Sequence, residues 1–261
     1  ADSMDYLHRH FAQRTDARQL LPGARSVIVG ALNYHQPRPD RPARGGPRGR
    51  VAMYAWGDDY HRVIKRKLFA VVDGLREQLD EAFDAKVCVD TAPLLEREYA
   101  VRAGVGWIGK NTLVMDAELG SYFFLGAIVT TLDLPYDQPV SDHCGSCTRC
   151  LEACPTQAFP RAYEMDASRC ISYLTIEHRA PRLPEELQPA IGDWVFGCDI
   201  CQEVCLHNRD APVTAEPRFA VRPPGALPVL NDLLQWTDAE YVAVLRASAI
   251  KRATTAMLGR N

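Results

Sequence analysis

The chain has 261 residues, 47% hydrophobic and 24% charged, with a formal net charge of −3, enough apolar matter for one large core or two smaller ones and no general affinity for nucleic acid. No apolar run reaches the ~20 uncharged residues a membrane helix needs, and "ADSMDYLHRHF" lacks the basic-then-apolar layout of a signal peptide, so a cytoplasmic protein is expected. Nine cysteines, eight of them between 144 and 205, read as metal ligation rather than a disulfide framework.

In chain order, "SVIVGALNY" (26–34) is a β-branched run after a Pro-Gly turn and reads as a buried strand. The following "HQPRPDRPARGGPRGR" is rich in Pro, Gly and Arg, buries almost nothing and is expected to be a mobile loop. Between Arg38 and Lys67 nine Lys or Arg face three Asp. Asp58 or Asp59 caps a helix whose apolar positions Ile64, Leu68, Val71, Val72, Leu75, Leu79 and Phe83 share one face. Gly74 inside it costs ~1 kcal/mol against Ala, which the packing face is expected to carry. "KVCVDT" reads as a strand, "LLEREYAVRAG" as a helix stopped by Gly104, and "TLVMD" and "SYFFLGAIVTTLDL" as further strands. An α/β first domain over residues 1–142 is therefore expected. Residues 143–215 are short cysteine-punctuated pieces. Residues 216–261 return to helix, with Thr237 and Glu240 as a capping box.

"CGSCTRCLEACP" places Cys144, Cys147, Cys150 and Cys154 at C-x2-C-x2-C-x3-C-P. In that ferredoxin spacing three thiolates wrap one cubane and the fourth ligates a neighbouring cluster. The second set is present as Cys170, Cys198, Cys201 and Cys205. Crossed ligation then gives cluster one Cys144, Cys147, Cys150 and Cys205, and cluster two Cys154, Cys170, Cys198 and Cys201. Structural zinc is the bland alternative, but paired C-x2-C hooks suit zinc better than this triple. Cys88, the ninth, reads as a core residue.

"GVGWIGKN" (104–111) spells a dinucleotide fingerprint and nearly a phosphate loop. Both fail on context: a helix precedes it where a strand is required, a strand follows it where a helix is required, and Asn111 stands where a hydroxyl would bind magnesium. The bland reading is that Gly104 ends a helix, Gly106 and Gly109 turn the chain, and Trp107 fills the core.

Taken together, "YAWGDDYH", "VDTAPLLEREYAVRAGVGWIGKNT", "GSYFFLGAI", the cysteine run and "RCISYLTIE…GCDICQEVC" resemble the epoxyqueuosine reductase family over nearly the whole chain. The resemblance implies a nitroreductase-like α+β domain that binds base-off cobalamin, then a ferredoxin-like module with two 4Fe-4S clusters, then the start of a helical-repeat region. It implies reduction of epoxyqueuosine to queuosine at the tRNA wobble position by a cytoplasmic monomer fed by an external low-potential electron donor. The family's first few dozen residues and most of its terminal repeats have no counterpart here.

Asp90 matches the family's proposed proton donor, a role that asks for a carboxyl with a pKa raised by burial; its bland reading is a helix N-cap. By the same resemblance Arg14, Lys110, Asn111, Val114, Met115, Asp116, Leu125, Ser172 and Asp199 contact cobalamin. Tyr54, Trp56 and His61 read as packing and capping residues. Arg41, Arg44, Arg48 and Arg50 either meet tRNA phosphates or are merely solvated. Two other functions compete: a reductive dehalogenase, similar in domain plan but typically exported and using a tyrosine acid, and a plain electron-transfer protein holding clusters without cobalamin.

Overall fold

The computed structural model describes residues 4, 10–42 and 44–261. The first segment holds α1 (Phe11–Thr15), β1 (Ser26–Asn33), β2 (Arg50–Val51), α2 (Tyr60–Gln78), β3 (Ala85–Cys88), α3 (Glu96–Arg102), β4 (Trp107–Ile108), β5 (Val114–Met115) and β6 (Phe123–Thr130). The cysteine-rich segment adds α4 (Arg149–Glu152), α5 (Ile171–Ile176), α6 (Gln188–Ile191), β7 (Trp194–Phe196) and α7 (Ile200–Glu203). The last segment contributes α8 (Leu230–Gln235), α9 (Asp238–Val244) and α10 (Thr255–Arg260).

The main sheet has the order β1-β6-β3, with both neighbours antiparallel to β6. Strand β6 is buried along nearly its whole length, which is why its sequence reads as a continuous apolar run rather than an alternating one. Gly30 and Gly126 face each other across β1 and β6. A Cβ on Gly126 would stand 2.6 Å from Ile64 Cγ2 and 2.8 Å from Leu68 Cδ1. Helix α2 therefore lies closer to the sheet than any side chain there would permit.

Asp59 caps α2 by accepting the His61 N–H, and the helix buries Val63, Ile64, Leu68 and Val72. Two residues of the expected apolar face point outward: Val71, at 46% exposure within the helix, and Leu79, at 40%, which is already extended because the helix ends at Gln78. A methyl group at Gly74 would meet nothing within 4 Å, so no close packing accounts for that glycine.

The arginine-rich loop is the largest departure from expectation. It is pinned. Arg38 pairs with Asp199 and Glu203, Arg41 with Asp193, and Arg50 with Glu203. Arg48 donates to the Leu227 carbonyl at 2.8 Å, and the Arg50 guanidinium lies 4.0 Å over the Trp194 ring. Carboxylates about 150 residues away convert a segment that cannot form its own core into a strap between segments.

That strap has a backbone component: β2 runs parallel to β7, joining the first segment to the cysteine-rich one. One apolar core takes Tyr34, Ile64 and Ile128 from residues 1–142, Val195 and Phe196 from 143–215, and Phe219, Tyr241 and Leu258 from 216–261. Helix α9 begins with the expected capping box of Thr237 and Glu240. Beyond α10, Asn261 donates to the Thr175 and Val195 carbonyls.

Candidate active site and cluster module

Asp90 follows β3 in a left-handed conformation, φ +45°, uncommon for a non-glycine residue though better tolerated by Asp than by most. Its N–H donates to Glu96 Oε1 at 2.6 Å. Its carboxylate, 55% exposed, accepts through Oδ2 from Tyr60 Oη at 2.7 Å and His61 Nε2 at 2.9 Å. The hydrogen bond from His61 holds the carboxyl below the ordinary range, against burial, with help from Tyr60 and the charge of Arg252. This corrects the expectation of a carboxyl raised by burial. Burial instead raises Glu96, to about 7, because that carboxylate has few compensating partners.

His61 is therefore more than a capping residue. Its Nδ1 lies 2.7 Å from Asp59 Oδ1, and its ring stacks on Tyr60 with centroids 4.1 Å apart. Tyr60 in turn stacks on Phe124 at 4.3 Å and meets Tyr54 edge-on at 6.2 Å. The Tyr54 ring covers Gly197, whose added Cβ would lie 3.4 Å from it. Gly197 precedes Cys198, so aromatic rings connect the Asp90 carboxylate to the cysteine module. Sequence reasoning missed Asp59, Tyr60 and Glu96 as members of this site. The only available signal was two acids and a histidine at the start of one helix.

All nine cysteines are free thiols, and Cys88 is fully buried in the core as expected. Cys144, Cys147, Cys150 and Cys205 line one cavity of 240 Å³. Burial raises the Cys150 and Cys205 thiols, and proximity raises them further: Cys150 feels Cys205 and Cys144, while Cys205 feels Cys144 and Cys147. In the other group burial raises Cys198 and Cys201; Cys198 also feels Cys170 and Cys154, and Cys201 feels Cys198 and Cys170. Among the described residues no three acidic, histidine or cysteine side chains converge as a single metal ion requires. Thiols gathered in fours are what the ferredoxin spacing of two cubanes asks for.

The β4–β5 hairpin clamps the first of these groups. Lys110 Nζ donates to the Gly145 carbonyl at 2.6 Å and the Cys147 carbonyl at 2.9 Å. Trp107 is 2% exposed, its Nε1 without a hydrogen-bond partner among the described residues, and it meets His143 and His207 edge-on at 4.9 and 5.0 Å. "GVGWIGKN" is thus the element that seats the cysteine loop against the first segment.

The residues expected around a cobalamin fall in two places. Val114 and Leu125 share one apolar cluster, Asn111 and Met115 are buried beside it, and Lys110 stands at the cavity of the first thiol group. Asp116 turns the chain after β5 by accepting from the Glu118 and Leu119 N–H groups. Arg14 on α1 has a buried Nε with no hydrogen-bond partner among the described residues, a donor that a polar cofactor edge would satisfy. Ser172 and Asp199 lie in the cysteine module. Asp199 accepts through Oδ2 from Arg38 Nη2 at 2.7 Å and the Met53 N–H at 2.8 Å.

An α+β domain carrying a hydrogen-bonded carboxylate, fused to a module with two four-thiol groups, defines an iron–sulfur oxidoreductase. Residues 14–91 match the family model described as epoxyqueuosine reductase QueG, DUF1730, and residues 143–208 match that of the 4Fe-4S double cluster binding domain. An epoxyqueuosine reductase of Cellulophaga algicola is 41% identical over 99% of this chain and 82% of its own. One from Synechocystis sp. is 45% identical over 95% of this chain and 86% of its own. The crystal structure of an epoxyqueuosine reductase with an epoxyqueuosine-modified tRNA-Tyr stem loop superposes with a TM-score of 0.89 at 35% identity, covering 95% of this chain. This chain spans 66% of that one. The protein belongs to the epoxyqueuosine reductase family.

Proposed function

We propose that this chain reduces epoxyqueuosine to queuosine at the wobble position of tRNA, as a cytoplasmic monomer supplied by an external low-potential electron donor. Two 4Fe-4S clusters, ligated in the crossed sets Cys144, Cys147, Cys150, Cys205 and Cys154, Cys170, Cys198, Cys201, carry the electrons. A bound cobalamin would supply the redox chemistry at the epoxide. Arg14, Lys110, Asn111, Val114, Met115, Asp116, Leu125, Ser172 and Asp199 are the residues proposed to hold it. The buried Arg14 Nε, without a hydrogen-bond partner among the described residues, supports that assignment.

The observation that carries the reading is Asp90. Removing an epoxide oxygen as water takes two electrons and two protons, and the oxygen leaves only as it is protonated. A part-exposed carboxylate, held at positive φ by Glu96 and oriented by Tyr60 and His61, is placed to pass a proton to that point.

The test is nucleoside mass spectrometry of epoxyqueuosine-containing tRNA incubated anaerobically with the reconstituted protein, cobalamin and a strong reductant. Cobalamin-dependent conversion is expected, reduced by about 100-fold or more in Asp90→Asn, the usual scale of a lost general acid, with cluster content unchanged. Loaded clusters that never bind cobalamin would point to an electron-transfer protein instead.

A further inference from the structure

His61 stands between two carboxylates. Nδ1 lies 2.7 Å from Asp59 Oδ1 and Nε2 lies 2.9 Å from Asp90 Oδ2. Neither acid is free to drift. Asp59 Oδ1 also accepts the His61 N–H and so caps α2, while the Asp90 backbone is fixed by Glu96. With Tyr60 Oη also donating to Asp90 Oδ2, a single proton on the Nε2···Oδ2 line completes the hydrogen bonding, and it can rest on either atom. The second carboxylate, behind the ring, favours the imidazolium. Asp90 is then ionised at rest and is not by itself a source of protons.

We propose that His61, clamped by Asp59, is the proton store of the reaction, and that Asp90 is the group through which its proton reaches the departing oxygen. The inference rests on the reading of Asp90 given above. In the full reaction, epoxide, two electrons and two protons give alkene and water. Both C–O bonds break, one C=C bond forms, and the external donor is oxidised by two electrons. As charge grows on the oxygen, one proton moves from His61 Nε2 to the Asp90 carboxyl and on to the oxygen. The neutral imidazole keeps its Nδ1–H on Asp59, is recharged from solvent, and delivers the second proton by the same route.

The charged and titratable groups around the pair are Asp59 and Tyr60 at the start of α2, Glu96 and Arg97 on α3, Tyr54, and Arg252 from the turn before α10. Burial opposes charge on His61, but the hydrogen bonds to Asp59 and Asp90 outweigh it and hold the ring at about 9. Glu96 titrates near 7 and contacts the Asp90 N–H rather than its carboxylate, so it sits beside the relay and not in it.

Two measurements test this. In single-turnover conversion by pre-reduced, cobalamin-loaded protein, the alkaline limb of the wild-type pH profile is expected near pH 9. In His61→Gln, Asp90 must carry its own proton, so the limb moves into the acid range and the rate at neutral pH falls by about 100-fold. Asp59→Asn retains a capping side chain and moves the limb part of the way, towards the ordinary imidazole value of ~6.5. A merely structural His61 would lower the rate equally at every pH with the limb unmoved, and that result overturns the proposal. The second arm needs no substrate. In ¹⁵N-histidine-labelled holoprotein, His61 is expected to stay doubly protonated to about pH 9 and to titrate lower in Asp59→Asn and in Asp90→Asn. A wild-type ring titrating at the ordinary value overturns the store whether or not queuosine is formed. If queuosine is absent while the NMR result holds, the assigned reaction fails and the proton store stands.

Discussion

The Asp90 carboxylate shows how a residue type can be legible while its state is not. "VDTAP" pointed to position 90, but whether that acid is raised or lowered depends on His61, 29 residues earlier, and on the turn that brings their side chains to 2.9 Å. The same pairing leaves a mark on stability. His61 is raised to about 9, so its contribution is fully present below the unfolded value of ~6.5 and is lost as pH rises through about 9. Asp59 is lowered chiefly by its hydrogen bond with His61, and Asp90 likewise. Their contribution is present above ~4 and is lost as pH falls through their lower folded values. The difference in thermal midpoint between wild type and His61→Gln is therefore expected to be largest between pH ~4 and ~6.5 and to vanish towards alkaline pH. A difference that is flat from acid to alkali would contradict the pairing.

At the scale of elements, the grouping of the cysteines was the most legible feature because chain spacing dictates it. Only three residues separate Cys150 from Cys154, yet the two thiols belong to different groups, since α4 turns one towards Cys205 and the other towards Cys170. Iron analysis separates crossed from sequential ligation. Cys150→Ala and Cys205→Ala are each expected to halve the iron content, and their double variant to remove no more than either alone. Cys150→Ala with Cys154→Ala is expected to remove nearly all of it. Helix α2 was equally plain in its start, where Asp59 is a local cap. Its end was not, because Leu75 and Leu79 continue the apolar period and tertiary packing stops using it after Val72.

For the molecule as a whole, the least legible part was the arginine loop. Composition alone left it either solvated or on RNA. Its partners Asp193, Asp199 and Glu203 lie far along the chain, and no local pattern announces them. Asp199 is 1% exposed, so removing Arg38 strands a buried carboxylate. Arg38→Met is expected to cost about 3–5 kcal/mol, read as a lower unfolding midpoint accompanied by earlier loss of cluster absorbance. A change within error would mean that the strap carries little of the fold.

The parallel pairing of β2 with β7 has a kinetic meaning as well. A redox module on a flexible tether must swing into place for each delivery, so its throughput follows solvent friction and tether length. Here a backbone ladder and a common core fix the spacing between cysteine module and carboxylate when the chain folds. The spacing between the two is thus set by the fold itself and not by a tether.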